Sequence, residues 1–426
     1  MEKKTNECVN VVLRCMPVRT DPPHTIKVVE TDIAKGAIII KKPNGTSETF
    51  HFAAVYDEQA TQEEVYINSA LPIVESVVEG YNGTIIAYGH CGSGKTYTME
   101  GAYEDQKTIG IIPRSFDTIF SKIKDSDECR HIVKASYIEI DKEEVKDLLK
   151  LKSTDKVTTY EDAKLGVCFK GLKEVTVHSA ADLIKLHNIG KAKRKKDFTR
   201  MNPICSATHT IFMITIETIR LSAEPTLTQG RLIMVDLLGI ERAGHYTSEA
   251  RLSGVTKANL ALGTLNRVIT GLAKKNSTHI PYKESKVTII LKNSLSGNAR
   301  TLMVATIKPV NRNYDDTIQT LKYATEARLI NNTPRINILP VNTGDLILSL
   351  ENELKELKIK SKCNPKIGVE ESKEKPIKLS EQIAEETRRL EKQLDKLKSS
   401  SLKEIQDIST SSVKEAKKDS SLKNDK

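Results

Sequence analysis

The segment from Gly89 to Thr96 constrains the fold of this chain more than any other. It fits the phosphate-binding pattern GxxxxGK[ST], with the residues Gly89, His90, Cys91, Gly92, Ser93, Gly94, Lys95 and Thr96. In this pattern glycines let backbone N–H groups surround phosphates, the lysine reaches the outer phosphates, and the hydroxyl can ligate Mg²⁺. A β-prone run at 84–88 comes immediately before it. The segment therefore predicts a strand, a phosphate-binding loop and a helix.

The first 335 residues alternate between β-prone runs and helical patterns, which predicts an α/β fold. Apolar runs such as 232–235 favour a mostly parallel sheet covered by helices on both faces. The sequence predicts strands near 9–14, 83–88, 132–140, 210–217, 231–235 and 301–307. It predicts helices near 62–78 and 256–273.

The pattern changes after Pro334. Apolar residues recur at heptad-like spacing twice, first at Ile347, Leu350, Leu354 and Leu357, then at Ile383, Thr387, Leu390, Leu394 and Leu397. The sequence predicts a short neck helix or coiled coil over 338–360, a linker over 361–378, an amphipathic helix over 379–398 and a disordered tail over 399–426. Two heptads are compatible either with association through these helices, as a homodimer or heterodimer, or with packing on the chain's own domain.

Charge and composition exclude several classes of protein. The chain carries 66 Lys and Arg against 56 Asp and Glu, a net charge of +10, which favours an acidic partner. No apolar run approaches the roughly 18 residues of a membrane span, and no signal peptide is evident, so a soluble intracellular protein is expected. Seven cysteines without a CxxC pair argue against a disulfide framework or a zinc site.

A second nucleotide signal lies at residues 231–236, an apolar strand ending in Asp236. Such an acidic residue holds Mg²⁺ through water in P-loop enzymes. Gly239 follows at the spacing of a loop that senses the outermost phosphate. The chain lacks the Asn-Lys-x-Asp base-reading motif of a GTPase, so ATP with Mg²⁺ is the predicted ligand pair.

Four ordered segments resemble the kinesin motor domain. Residues 81–101 are similar to its P-loop segment, 202–209 to the switch I motif NxxSSRSH, 236–242 to the switch II motif DLAGSER, and 279–288 to HVPYRxSKLT. Segments at 313–318 and 335–337 most resemble the kinesin-II class. The resemblance implies a motor domain with neck linker over 1–337, a P-loop sheet with helices on both faces, and a cytoplasmic, microtubule-associated protein.

The resemblance also implies roles for individual residues. It places Asn202, Ser206, Gly239 and Glu241 in catalysis, and Mg²⁺ on Thr96, Ser206 and, through water, Asp236. Base contacts are implied for Arg14, Pro17 and Tyr97 beside the P-loop residues. The expected tubulin contacts are Lys257, Lys274, Lys275, Lys283 and Lys286, with no role for nucleic acid or a membrane.

Several positions depart from the kinesin pattern. The switch I arginine that pairs with Glu241 is Ala207, and the preceding serine is Cys205. If the lost pair closes the site only in the transition state, its absence raises the activation free energy by about 3 kcal/mol, which slows turnover roughly a hundredfold. The basic run at 191–196 is interpreted as a solvated helix end or a tubulin-facing rim. Two hypotheses remain: a plus-end-directed microtubule motor of reduced activity, and a slow or non-catalytic kinesin-like subunit that acts as a tether.

Overall fold

The computed structural model describes residues 6–18, 25–42, 44–102, 105–124, 129–150, 156–162, 165–198, 208–220, 225–239, 249–274 and 279–341, with single residues and pairs between 344 and 398. For 195–198 and 249–259 it describes the backbone alone. The described residues within 1–126, 131–218 and 228–337 form one compact unit, and those within 127–130, 219–227 and 338–426 form a second.

The chain builds its strands largely where apolar and β-branched residues alternate. In chain order the strands are β1 (Glu7–Cys8), β2 (Asn10–Cys15), β3 (Val29–Asp32), β4 (Ala37–Lys41), β5 (Ser47–His51), β6 (Ala54–Tyr56), β7 (Asn82–Tyr88), β8 (Cys129–Asp141), β9 (Glu144–Asp147), β10 (Thr158–Asp162), β11 (Gly166–Lys170), β12 (Val175–Val177), β13 (His209–Arg220), β14 (Thr226–Asp236), β15 (Arg300–Ile307), β16 (Asn331–Asn332) and β17 (Ile338–Leu339). The six predicted strands correspond to β2, β7, β8, β13, β14 and β15.

The helices are α1 (Gln62–Val65), α2 (Leu71–Val78), α3 (Lys95–Met99), α4 (Ile111–Lys124), α5 (Ala180–Phe198), α6 (Glu249–Ala273), α7 (Lys286–Ile290) and α8 (Tyr314–Ala327). A π-helical segment, Tyr66–Ala70, joins α1 to α2 and completes the helix predicted at 62–78. Short 3₁₀ turns lie at Tyr282–Glu284 and Asn311–Asn313. None of the helices in the described part of the chain has the length and apolar character that a membrane crossing needs.

The large sheet has the order β12-β8-β13-β14-β7-β15-β2-β6, with β9 beside β8 and β17 beside β14. Strands β14, β7, β15, β2 and β6 run parallel to one another, whereas β12 and β9 pair antiparallel with β8. The sheet is therefore mixed, with a parallel centre that carries the phosphate-binding loop. This agrees with the predicted α/β class.

Both faces of the sheet are buried. Along β7, Ile86 and Tyr88 pack into one apolar cluster with residues of α6 and α8, while Ile85 and Ala87 pack into another with residues of α2 and α4. Alternate side chains of a strand point to opposite faces, so this division reflects helices on both sides. Because β7 and β14 are parallel neighbours, their carboxyl ends lie side by side at the same end of the sheet.

Candidate active site

The phosphate-binding loop lies between β7 and α3, as its sequence predicts. Gly94, the residue before α3, has a left-handed backbone with φ of 99°. Gly89 has φ of 151°, and a Cβ there would come within 2.2 Å of the Thr306 carbonyl oxygen. A side chain at Gly89 would collide with neighbouring backbone, so this position requires glycine.

Lys95 is buried against the loop that it follows. Its Nζ donates to the carbonyl oxygens of Gly89 at 3.0 Å and His90 at 2.8 Å. Ser93 Oγ donates to the His90 carbonyl oxygen at 2.8 Å and lies 2.7 Å from Thr306 Oγ1. The loop is thus held in a preformed concave shape by its own side chains.

Thr96 and Asp236 bring the two predicted nucleotide motifs together. Thr96 Oγ1 donates to Asp236 Oδ2 over 2.7 Å. Parallel pairing between β14 and β7 sets Asp236 opposite Ala87, two residues before the loop begins. The strand register therefore brings the carboxylate to the first turn of α3.

A buried cation, Arg194 of α5, sits beside this carboxylate. Its Nη2 lies 3.7 Å from Asp236 Oδ2, and its Nη1 lies 3.2 Å from Glu100 Oε1 and 3.3 Å from Thr210 Oγ1. Lys191 reaches the other oxygen of Glu100 at 2.9 Å. The interpretation of 191–196 as a solvated or tubulin-facing run is wrong for Lys191 and Arg194, because both turn inward to buried carboxylates.

The two carboxylates differ in how fully their charge is compensated. Burial raises the pKa of Glu100, but nearby groups, above all the Arg194 guanidinium and also the Lys191 ammonium, outweigh it, so this pKa is lowered overall. Burial raises the pKa of Asp236, and the nearby Arg194 does not fully offset it. Asp236 therefore still favours an additional positive charge.

The surroundings of Asp236 fit a bound Mg²⁺. Its Oδ1 is buried and has no hydrogen-bond partner within the described protein. A buried carboxylate oxygen in this state requires a donor from outside, such as a metal-bound water. Thr96 Oγ1, which contacts the same carboxylate, is the hydroxyl that the P-loop pattern predicts as a metal ligand.

Gly239, in the described part of the switch II motif, packs directly on the phosphate-binding loop. A Cβ on Gly239 would lie 2.5 Å from the Cys91 backbone nitrogen and 2.9 Å from Lys95 Nζ, so glycine permits this approach. The Leu238 backbone N–H donates to Nδ1 of His209 at 3.1 Å. His209 is fully buried, which lowers its pKa to about 3 and keeps it a neutral acceptor. Switch II is thereby tied to the start of β13.

A cavity of about 260 Å³ next to the loop is lined by Arg14, Pro17, Gln62, Gly94 and Tyr97, among others. Arg14 is buried, and its Nη1 donates to Gln62 Oε1 at 2.6 Å and Thr98 Oγ1 at 3.0 Å. Its guanidinium carbon lies 5.3 Å from the centre of the Tyr97 ring. Tyr97 and Pro17 are exposed to the cavity side. Arg14 thus supports the aromatic wall from beneath.

Gln62 is a residue that the sequence analysis did not identify. Its Nε2 donates to the carbonyl oxygens of Tyr97 at 2.7 Å and Thr108 at 3.1 Å. A buried glutamine at the start of a helix has no distinguishing sequence pattern. Arg194 did carry a signal, because it lies three residues from Lys191 and therefore on the same helix face.

His90 and Cys91 fill the middle of the loop. His90 Nδ1 lies 2.8 Å from the Cys91 carbonyl oxygen, and its Nε2 accepts from the Lys308 backbone N–H at 3.3 Å. Both ring nitrogens are therefore engaged by backbone groups, and burial lowers the histidine pKa. Among the described cysteines, Cys8, Cys15, Cys129 and Cys168 are free thiols.

The predicted tubulin-binding lysines are only partly described. Lys283 is exposed in a 3₁₀ turn, Lys274 is exposed just after α6, and Lys286 begins α7. Glu143 fixes this last position, because its carboxylate accepts from Ser285 Oγ at 2.7 Å and from the Lys286 backbone N–H. Lys257 lies in α6 without a described side chain, and Lys275 lies outside the described residues.

The predicted catalytic residues Asn202, Ser206 and Glu241 lie outside the described residues, as do Cys205 and Ala207. The described site thus contains the phosphate loop, the cavity beside it, Asp236 and Gly239. The roles assigned to the other positions remain predictions.

Comparison with known proteins identifies the family. A family model described as the kinesin motor domain matches residues 4–330. Kinesin-like protein KIF3C of Pongo abelii is 34% identical over 388 residues, which cover 83% of this chain and 49% of that protein. The same protein of Mus musculus is 34% identical over 390 residues, with the same shares covered. The chain therefore spans about half the length of the curated relatives it matches.

Solved structures agree with the sequence comparison. The structure of a fast kinesin has a TM-score of 0.72 and 32% identity, covering 78% of this chain and 94% of that one. A KIF14 dimer bound with AMP-PNP to a microtubule has a TM-score of 0.72 and 31% identity, covering 78% of this chain and 97% of that one. The resemblance predicted from the four motifs is confirmed: the chain belongs to the kinesin motor-domain family.

Proposed function

We propose that this chain is an ATP-hydrolysing microtubule motor of reduced turnover. The observation that carries the proposal is the contact between Thr96 Oγ1 and Asp236 Oδ2 at 2.7 Å, next to a loop whose sequence fits the phosphate-binding pattern. A P-loop strand and a second acidic strand are both needed for nucleotide chemistry, and here they converge. The KIF14 structure, which contains AMP-PNP and a microtubule, belongs to the same family.

The phosphates would be held by backbone N–H groups of residues 89–94 and by Lys95. Lys95 Nζ now donates to two loop carbonyls, so binding exchanges these neutral acceptors for charged phosphate oxygens. Thr96 and Ser206 would ligate Mg²⁺, and Asp236 would hold it through water. The metal would neutralise charge on the phosphates during transfer.

The base would lie in the cavity beside Pro17 and Tyr97. Tyr97 is 47% exposed, which leaves its ring available for stacking. Arg14 would act mainly by supporting that ring, because its guanidinium already donates to Gln62 and Thr98. Met16, Pro17 and Tyr97 supply apolar and aromatic surface for adenine in a lining that also contains polar residues such as Gln59 and Lys107.

Hydrolysis would be slow because Ala207 cannot pair with Glu241 as the family arginine does. We assign Asn202, Ser206, Gly239 and Glu241 to positioning the attacking water and the outermost phosphate. Arg194, a buried cation of the described site, pairs with Glu100 and Asp236.

Movement would follow from coupling switch II to a tubulin-facing surface. The tubulin contacts are Lys257, Lys274, Lys275, Lys283 and Lys286, whose charge suits an acidic partner. In the segment that follows α8, β16 pairs with β1 in a separate two-stranded sheet. A linker in this position after the motor domain supports plus-end-directed movement by analogy with the family.

A second candidate function is a slow or non-catalytic subunit that binds ATP and microtubules as a tether. The loss of the arginine at Ala207, while Lys95, Thr96 and Asp236 are all retained, favours this alternative. It predicts normal nucleotide affinity with turnover near zero. Cellular function would then depend on a catalytic partner.

The steady-state ATPase rate of the full chain, with and without microtubules, separates the candidates. The unaltered protein is compared with Ala207→Arg and with Lys95→Ala, which removes the phosphate contact. A reduced motor predicts microtubule-stimulated turnover that Ala207→Arg raises by roughly a hundredfold and Lys95→Ala abolishes. Bound nucleotide with no turnover, even with microtubules, would support the tether, whereas absence of nucleotide binding would reject both.

A further inference from the structure

Two ion pairs join the two heptad-like segments, 338–360 and 379–398. Glu351 Oε1 lies 2.7 Å from Lys398 Nζ, and Lys358 Nζ lies 2.7 Å from Glu391 Oε1. These four residues are helical, as are Leu354 and Leu394. All belong to the second compact unit, so the pairing is internal to that unit.

The two pairs show that the segments run in opposite directions. From Glu351 to Lys358 the first segment advances seven residues, while the partner falls from 398 to 391, also seven. Seven residues are about two helical turns, so each pair lies on the same flank of its helix. This register brings the first stripe, which includes Leu354, alongside the second, which includes Leu394.

The heptad positions fit this antiparallel arrangement. With Leu354 at position a and Leu357 at d, Glu351 and Lys358 occupy e. With Leu394 at a and Leu397 at d, Glu391 and Lys398 also occupy e. When one of two facing helices is reversed, the same flank of both stripes meets, so e pairs with e. In a parallel pair, e would face g instead.

Burial is consistent with a shared apolar seam. Leu354 is only 9% exposed, although its neighbours Glu351 and Lys358 are partly open to water. Exposed ion pairs contribute little stability because water screens them. The leucines therefore supply the attraction, and the charges fix orientation and register.

We infer that the apolar stripe of the neck segment 338–360 packs on the apolar stripe of segment 379–398 of the same chain. The two segments form an antiparallel hairpin, and a second copy of the chain does not cover the neck stripe. The linker predicted at 361–378 contains Pro365 and Pro376 and is long enough to reverse the chain. The hairpin makes the isolated chain a monomer. A parallel two-motor neck can form only after the second stripe leaves the first.

The charge pattern also disfavours a parallel homodimer of the second stripe. In that arrangement Glu386, at position g, would face Glu391 at e of the other copy. Like charges at this position repel. In the hairpin, Glu391 faces Lys358 instead.

Engineered cysteines test the proposal in the full chain. Glu351→Cys with Lys398→Cys should form an intramolecular disulfide on mild oxidation, detected as a linked peptide from the monomer band. The matched control is Glu351→Cys with Lys392→Cys, because Lys392 is helical and exposed but lies on the outer face of its stripe. The first pair should cross-link several-fold faster, and about tenfold dilution should leave its yield unchanged.

Cross-linking of residue 351 to residue 351 of a second chain, or equal rates for the two variants, would overturn the hairpin. Light scattering of the unaltered chain gives an independent result that does not depend on cysteine substitutions. A monomer mass over a tenfold concentration range is expected. A dimer mass would overturn the proposal.

Discussion

The protein uses ion pairs in two very different settings. In the nucleotide site, Arg194 lies between Glu100 and Asp236, whose side chains are 3% and 2% exposed. In the tail, Glu351 and Lys398 are 33% and 46% exposed. The chemistry of the pairs is the same, but desolvation makes each buried charge depend on its partner, whereas water compensates the exposed ones. Burial, and not the number of pairs, should decide how much each pair contributes to the free energy of unfolding.

The buried cluster should show the largest effect. Arg194→Ala removes the ion-pair partner of Asp236 and one of the two cations that contact Glu100. We expect it to lower the free energy of unfolding by about 3–5 kcal/mol. Urea unfolding of the full chain measures the change. Lys191→Ala is the matched control, since Lys191 is more exposed and Arg194 still neutralises Glu100, so its effect should be clearly smaller. Equal effects would contradict the assigned importance of burial.

Two buried histidines that stay neutral in the folded chain should make the free energy of unfolding depend on pH. This effect should be smaller than that of Arg194→Ala. Burial lowers the pKa of His187 to about 4 and that of His209 to about 3. Below the ordinary histidine pKa of 6.5, the unfolded chain binds protons that the folded chain does not. The histidine contribution to the free energy of unfolding is therefore fully present above that pH. It falls as the pH decreases, by about 2 kcal/mol per histidine between pH 7 and pH 5.

His187→Phe isolates one of these contributions. His187 stacks on Tyr137 with ring centres 5.4 Å apart, and phenylalanine preserves an aromatic ring there without a titrating group. The difference in unfolding free energy between pH 7 and pH 5 should shrink by about 2 kcal/mol relative to the unaltered chain. An unchanged difference would show that His187 does not remain neutral in the fold.

The sequence predicted the part of the site that depends on short-range spacing. The phosphate loop and the acidic strand end are local patterns, and the parallel register of β7 and β14 brings them together. Arg194 was misassigned because its partner Glu100 lies 94 positions away. A basic run identifies a charged helix, but only the fold determines which of its faces is buried.

The heptad-like segments 338–360 and 379–398 show the same limit of local sequence patterns. Heptad spacing predicted two apolar stripes, and it left open whether each packs within the chain or on another copy. The partner and direction of a stripe depend on residues at the far end of the linker. The ion pairs at 351–398 and 358–391 supply that long-range information.

The exposed pairs should show the smallest effect. Lys398→Ala removes the contact with Glu351 and should destabilise the helical hairpin by less than about 1 kcal/mol, with still less effect at high salt. Amide hydrogen exchange over 351–358 measures local opening in the full chain. Leu354→Ala is the contrasting variant, because it removes apolar contact from a side chain that is 9% exposed and should cost about 2 kcal/mol or more. If Lys398→Ala accelerated exchange as much as Leu354→Ala does, the charges would hold the hairpin together, and exposure would not be the property that separates the two regions.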